Sequence, residues 1–136
     1  MREGIYVLRS YIVAEEQYRA WKEWLLQERQ YYFVKTIPKV TYDDRLVSSS
    51  LPIEKAVIYI LEAEEIFKKN VKPYKHKSKL YKECLQVLNK RELAVFNAVV
   101  WGFHCDIPKS EMQEVYNQSI NKLCDFIEQK HLKITA

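Results

Sequence analysis

Apolar residues recur at intervals of three and four along most of this chain, the spacing of amphipathic helices. The pattern is cleanest from 52 to 71. There Ile53, Val57, Ile60, Leu61 and Phe67 form one face, widened by Ala56 and Ile66, while Glu62, Glu64 and Glu65 fall on or near the other. Pro52 occupies a first-turn position with Ser50 as a cap, and Pro73 is expected to end this helix. A long helix is predicted over 15–35 from Tyr18, Trp21, Leu25, Glu28 and Tyr32. Glu15, Glu16, Lys22, Glu23 and Arg29 fill its polar side, and the paired glutamates suit the positive end of a helix dipole. Its aromatic side chains (Trp21, Trp24, Tyr31, Tyr32, Phe33) favour core packing over a partner-binding surface. Residues 4–13 fit a short strand or a helix start, and the absence of a later strand partner favours helix.

Further helices are expected over 77–88 and 91–102. Asn89 is a stop or a cap between them, and Gly102 is a natural C-cap. Leu93, Phe96, Val99 and Val100 make the 91–102 segment so apolar that it should be central to the C-terminal core. Pro38, Asp43, Asp44 and the serines at 48–50 predict a loop over 36–51, the best boundary candidate. The expected organisation is therefore an aromatic-rich helix and loop over 1–50 and a helical domain over 51–136. With two Gly and four Pro in 136 residues, the fold class is all-α, a multi-helix bundle.

The last stretch, Ile107 to Leu132, predicts two short helices meeting at a turn around Tyr116-Asn117-Gln118-Ser119. This is the helix-turn-helix arrangement, here at about 107–132. Met112, Val115 and Tyr116 would form the inner face of the first helix, and Asn117 would take the left-handed turn position. Ser119 would open the second helix, with Leu123 as its anchor and Ile120, Cys124 and Ile127 completing the inner stripe. Gln118, Ser119, Asn121 and Lys122 are the base-facing candidates, since Asn and Gln can bond adenine and Lys guanine or phosphate. Asp125 and Glu128 oppose a polyanion.

Charge adds a second site. The net charge is only +4, but residues 68–91 hold nine Lys/Arg against one Asp/Glu, and the flanking segments are slightly acidic. Lys75, Lys77, Lys79, Lys82, Lys90 and Arg91 are the phosphate-contact candidates, with a solvated helix face as the alternative. Lys68, Lys69 and Lys72 also suit a helix C-terminus.

Other chemistry is thin. Two glycines leave no phosphate loop, and neither Gly-x-Ser-x-Gly nor His-Glu-x-x-His occurs. His104, Cys105, Cys124 and His131 match no zinc spacing, and Asp43-Asp44 fit a turn as well as a cation site. No enzyme, cofactor or metal is expected. Cys84 and Cys124 at apolar helical positions suit reduced thiols in a cytoplasmic protein, and no run is long enough to span a membrane.

From Asn89 onward, NKRELAVFNAVVWG followed by SEMQEVYNQSINKLCDFI resembles region four of sigma factors. Arg91-Glu92 match its Leu-x-x-Arg-Glu opening, Tyr116 to Ser119 stand where Leu-Gly-x-Ser is expected, and Leu123 takes the anchor position. Gln113 and Asn117 depart from the small residue and glycine usual there. The upstream order, a Tyr/Trp-rich helix, PKVTYDD, then SSSLPIEKAVIYILEAEEIF, is similar to small phage regulators of the ArpU and RinA type. That resemblance implies a sigma-like, DNA-binding transcription regulator of late packaging and lysis genes. Its partners would be double-stranded DNA and RNA polymerase, and the aromatic N-terminal helix could form a homodimer. The competing expectation is a non-enzymatic helical interaction or adaptor protein, distinguished by whether Trp21, Trp24 and Tyr31 are buried within the monomer.

Overall fold

The computed structural model describes residues 3–40, 46–47 and 50–130, with backbone alone at 39–40 and 46–47. Four helices carry the chain: α1 (Glu3–Lys35), α2 (Ile53–Leu85), α3 (Lys90–Trp101) and α4 (Lys109–Lys130). Among the described residues the other regular structure is a two-residue antiparallel ladder, β1 (Lys39–Val40) with β2 (Leu46–Val47), in the register Lys39 to Val47 and Val40 to Leu46. The architecture is all-helical, as the periodicity and the scarcity of breakers require. The helical alternative for residues 4–13 is the one observed, because they belong to α1. Asp43, Asp44 and His131 lie outside the described residues.

Two compact units form, and the division cuts both long helices instead of falling in the 36–51 loop. Unit 1 comprises Met1–Glu15 and His76–Ala136; unit 2 is Glu16–Lys75. The expected partition at residue 50 is therefore replaced by one in which α1 and α2 each serve two cores.

Unit 1 packs around Leu8, Tyr11, Tyr81, Cys84, Leu88, Phe96, Leu123 and Ile127. Phe96 and Tyr81 lie 6.4 Å apart, and the Trp101 indole N–H donates to the Tyr81 hydroxyl at 3.0 Å, giving that buried oxygen a partner. Gly4 marks a close approach: a Cβ there would stand 3.1 Å from the Cys124 backbone. Glu15, expected on a polar face near a helix start, is instead in mid-helix and 3% exposed, accepting a hydrogen bond from the buried Ser78 hydroxyl. A buried carboxylate requires such partners.

The α3 boundaries follow local chemistry. Asn89 accepts from the Glu92 N–H at 2.8 Å, and Glu92 accepts from the Asn89 N–H at 3.1 Å, a reciprocal capping box. Gly102 ends α3 at φ 73°, where its N–H reaches the Ala98 carbonyl.

Unit 2 pairs the rest of α1 with the first two-thirds of α2, antiparallel. Leu25 is buried between half-buried Tyr18 and Tyr32, a seven-residue repeat, and on α2 Ala56 and Ala63, also seven apart, are buried. The face expected to be internal on α2 is thus rotated: Ala56 and Ala63 are buried, Ile60 and Phe67 are half-buried, and Ile53, Val57 and Leu61 face solvent. Hydropathy alone does not favour alanine over isoleucine, but close helix approach does.

Two expected breaks are absent. Pro73 lies inside α2, so the helices predicted over 52–71 and 77–88 are one. A mid-helix proline removes the bond to the Lys69 carbonyl, and both residues are exposed, so water can satisfy that oxygen. Tyr116 to Ser119 lie inside α4, which runs unbroken from Lys109 to Lys130. The predicted helix-turn-helix turn is therefore a continuous helix. Ser119, 0% exposed, donates its hydroxyl to the Val115 carbonyl four residues back at 2.8 Å, a bond that only the helix offers. An Asn117→Gly substitution separates the two arrangements. Within a continuous exposed helix it should destabilise the protein by about 0.3 kcal/mol, the difference in helix propensity between the two residues, whereas at a left-handed turn residue it would stabilise. Urea denaturation with an unchanged m-value measures the difference.

Candidate nucleic-acid interface

The lysines of α2 are set by helical spacing. In unit 2, Lys68, Lys72 and Lys75 are all exposed at intervals of four and three, so they share one side of the helix. In unit 1, Lys79 and Lys82 are exposed at an interval of three and likewise share a side. Lys77 points elsewhere on α2 and its ammonium donates to the Ser10 hydroxyl at 2.8 Å. Of the four α2 lysines predicted to contact phosphate, Lys75, Lys79 and Lys82 therefore lie in these rows and Lys77 does not. Lys68 and Lys72, assigned above to the helix dipole, join the first row because α2 does not end at Pro73.

The α3 candidates are partly committed within the protein. Arg91 pairs with Glu111 of α4 at 2.5 Å, both side chains about half exposed (55% and 54%), and Lys90 is exposed. Such a surface pair contributes little to stability. Its effect is local: it neutralises the guanidinium that would otherwise meet a phosphate. The capping box occupies the Asn89 and Glu92 backbone N–H groups at this helix start.

The base-facing set is not assembled as predicted. Ser119 is buried and removed from it. Lys122 donates to Glu92 at 2.7 Å, and Glu92 is only 4% exposed. Burial by itself would raise the Glu92 pKa. The Lys122 hydrogen bond, the Asn89 N–H and the nearby ammonium charge outweigh it and hold the carboxyl below its usual value. The stabilisation from this pair is thus present above the unfolded carboxyl pKa and is lost as pH falls through the lower folded one. Gln118 and Asn121 are exposed, but Glu114 precedes Gln118 by one turn and Asp125 follows Asn121 by one, both exposed. The outward face of α4 therefore offers two amides flanked by carboxylates.

Among the described residues no group of three or more His, Cys, Asp or Glu side chains is placed to hold a metal. His104 pairs with Asp106 at 3.0 Å in open solvent, and Cys124 is buried at the α1–α4 approach. Burial, then the Glu83 charge, pushes the Cys84 thiol up to about 12. In native protein an alkylating reagent at neutral pH should therefore modify Cys105 alone, with Cys84 and Cys124 reacting only after denaturation. Mass spectrometry of the labelled peptides checks this, and native labelling at Cys84 would contradict the packing.

Sequence reasoning missed the exposure of Ile53, Val57 and Leu61. Ala56 and Ala63, seven apart on the same helix, carried the available signal. No helix among the described residues is long and apolar enough to cross a membrane. No protein-family model, curated protein or solved structure matches this chain.

Proposed function

We propose that this protein is a DNA-binding transcription regulator, held to duplex DNA chiefly through phosphate contacts from α2. The observation that carries the proposal is the pair of exposed lysine rows, Lys68-Lys72-Lys75 and Lys79-Lys82, in a segment with nine Lys/Arg and one Asp/Glu. Regularly spaced cations within each helical segment suit a regularly charged backbone. The resemblance of the chain to sigma-like phage regulators of the ArpU and RinA type supports the same reading. With it come RNA polymerase as a second partner and late packaging and lysis promoters as the target. Without a turn in α4, Gln118 and Asn121 would contribute sequence preference, and the lysine rows most of the affinity.

A second reading, a helical adaptor that binds protein, is favoured by one observation: Trp21 and Trp24 are only half-buried in unit 2, and Tyr31 is 55% exposed. Titration of the full chain against a mixed-sequence duplex separates the two. The first reading expects binding at low salt that weakens steeply as salt rises. No binding at low salt overturns it.

A further inference from the structure

One side of unit 2 is built as an apolar surface around a single ion pair. Arg29 of α1 donates to Glu64 of α2 at 2.8 Å. Leu26 stands three residues before Arg29 and Phe33 four after it, so both share its side of α1. Leu61 and Val57 stand three and seven residues before Glu64, and Ile53 eleven before it, so these share its side of α2. All five are exposed, from 47% at Leu26 to 70% at Ile53. Among the α1 aromatic side chains, Tyr32 packs on Tyr59 at 5.2 Å and Tyr18 on Phe67 at 6.4 Å, while Tyr31 and Phe33 are exposed.

We propose that this side of unit 2, from Leu26 and Phe33 of α1 to Ile53, Val57 and Leu61 of α2, joins two copies of the chain in a two-fold dimer. Two features select a second copy as the occupant. The first is charge. Arg29 and Glu64, one from each helix, lie at its centre, with exposed Lys22 and Lys68 bordering one end, so a two-fold axis between Arg29 and Glu64 sets each Arg29 against the second copy's Glu64. The patch is self-complementary, as an isologous interface requires. The second is area. At their fractional exposures the five residues offer on the order of 550 Å² per chain, so complete pairing of two copies removes about 1,100 Å², just above the roughly 1,000 Å² that a specific interface needs. A patch of this size is at the upper end of what monomers leave uncovered. The dimer does not depend on the DNA-binding reading, and either can fail without the other.

Sedimentation equilibrium of the full chain, carried to hundreds of micromolar, tests the proposal. The expected result is reversible association to twice 16.4 kDa, weakened at least about tenfold by the paired substitution Val57→Glu and Leu61→Lys. Both side chains are exposed, so helix content should be retained. A strictly monomeric wild type overturns the proposal, as does a dimer that the folded double variant leaves unchanged. Hydrogen exchange of the wild-type chain at low and high concentration decides independently of any variant. The dimer predicts concentration-dependent protection of peptides spanning 26–33 and 53–61, and protection elsewhere without these overturns it.

Discussion

Replacing Lys68, Lys72, Lys75, Lys79 and Lys82 together with alanine is expected to remove nearly all duplex binding. Each lysine that neutralises a phosphate releases a condensed counterion, so five contacts give a slope near −4.5 for log affinity against log salt, and roughly 500-fold weaker binding at 200 mM than at 50 mM salt. Removing Lys79 and Lys82 alone should reduce that slope by about 2. Lys77→Ala serves as the internal control, because its ammonium rests on Ser10 and lies outside the two rows. A Gln118→Ala, Asn121→Ala pair should alter preference among duplexes and leave the slope in place. Fluorescence anisotropy at four or five salt concentrations reads all of these. An unchanged slope in the five-alanine variant would remove the lysine rows from any account of binding.

The largest expected loss of stability is at Phe96. Its ring is wholly buried, 6.4 Å from both Tyr81 and Tyr116 and stacked on the latter, at the meeting of α2, α3 and α4. Phe96→Ala should cost about 3–5 kcal/mol through lost burial and the cavity left behind. Against a total of about 5–15 kcal/mol this is about a fifth of the stability or more. Thermal melting should fall by at least about 12 °C, or unit 1 should fail to fold. Phe103→Ala, at the residue directly after Gly102 and 55% exposed, should change stability by about 0.5 kcal/mol or less. Similar melting temperatures for the two variants would contradict the core described here.

Particular residues show why some of this was legible in advance. Asn89 and Gly102 mark the ends of α3 because each does its work within a few residues: one accepts the Glu92 N–H, the other adopts φ 73°. Cys84 and Cys124 read as buried because both fall on strongly apolar stripes, and both are 0% exposed. Asn117 and Ser119 misled for the opposite reason. Each is compatible with a turn, yet the helix offers Ser119 the Val115 carbonyl and lets Asn117 accept from Gln113 at 3.1 Å. The lysine composition of 68–91 was plain, while which lysines share a side depended on α2 continuing through Pro73.

By itself the sequence determined the helical class, the caps of α3 and the concentration of positive charge, since each follows from local propensity or a count. The tertiary structure decided which side of α2 faces inward, whether Tyr116 to Ser119 bend, and which predicted contacts remain open. Those outcomes depend on partners distant in the chain. Ala56 and Ala63 are buried in place of Ile53, Val57 and Leu61, Glu92 engages Lys122 across thirty residues, and Val115 and Ser119 are buried together along one unbroken helix. Local spacing names the residues able to do such things, but only close packing selects among them.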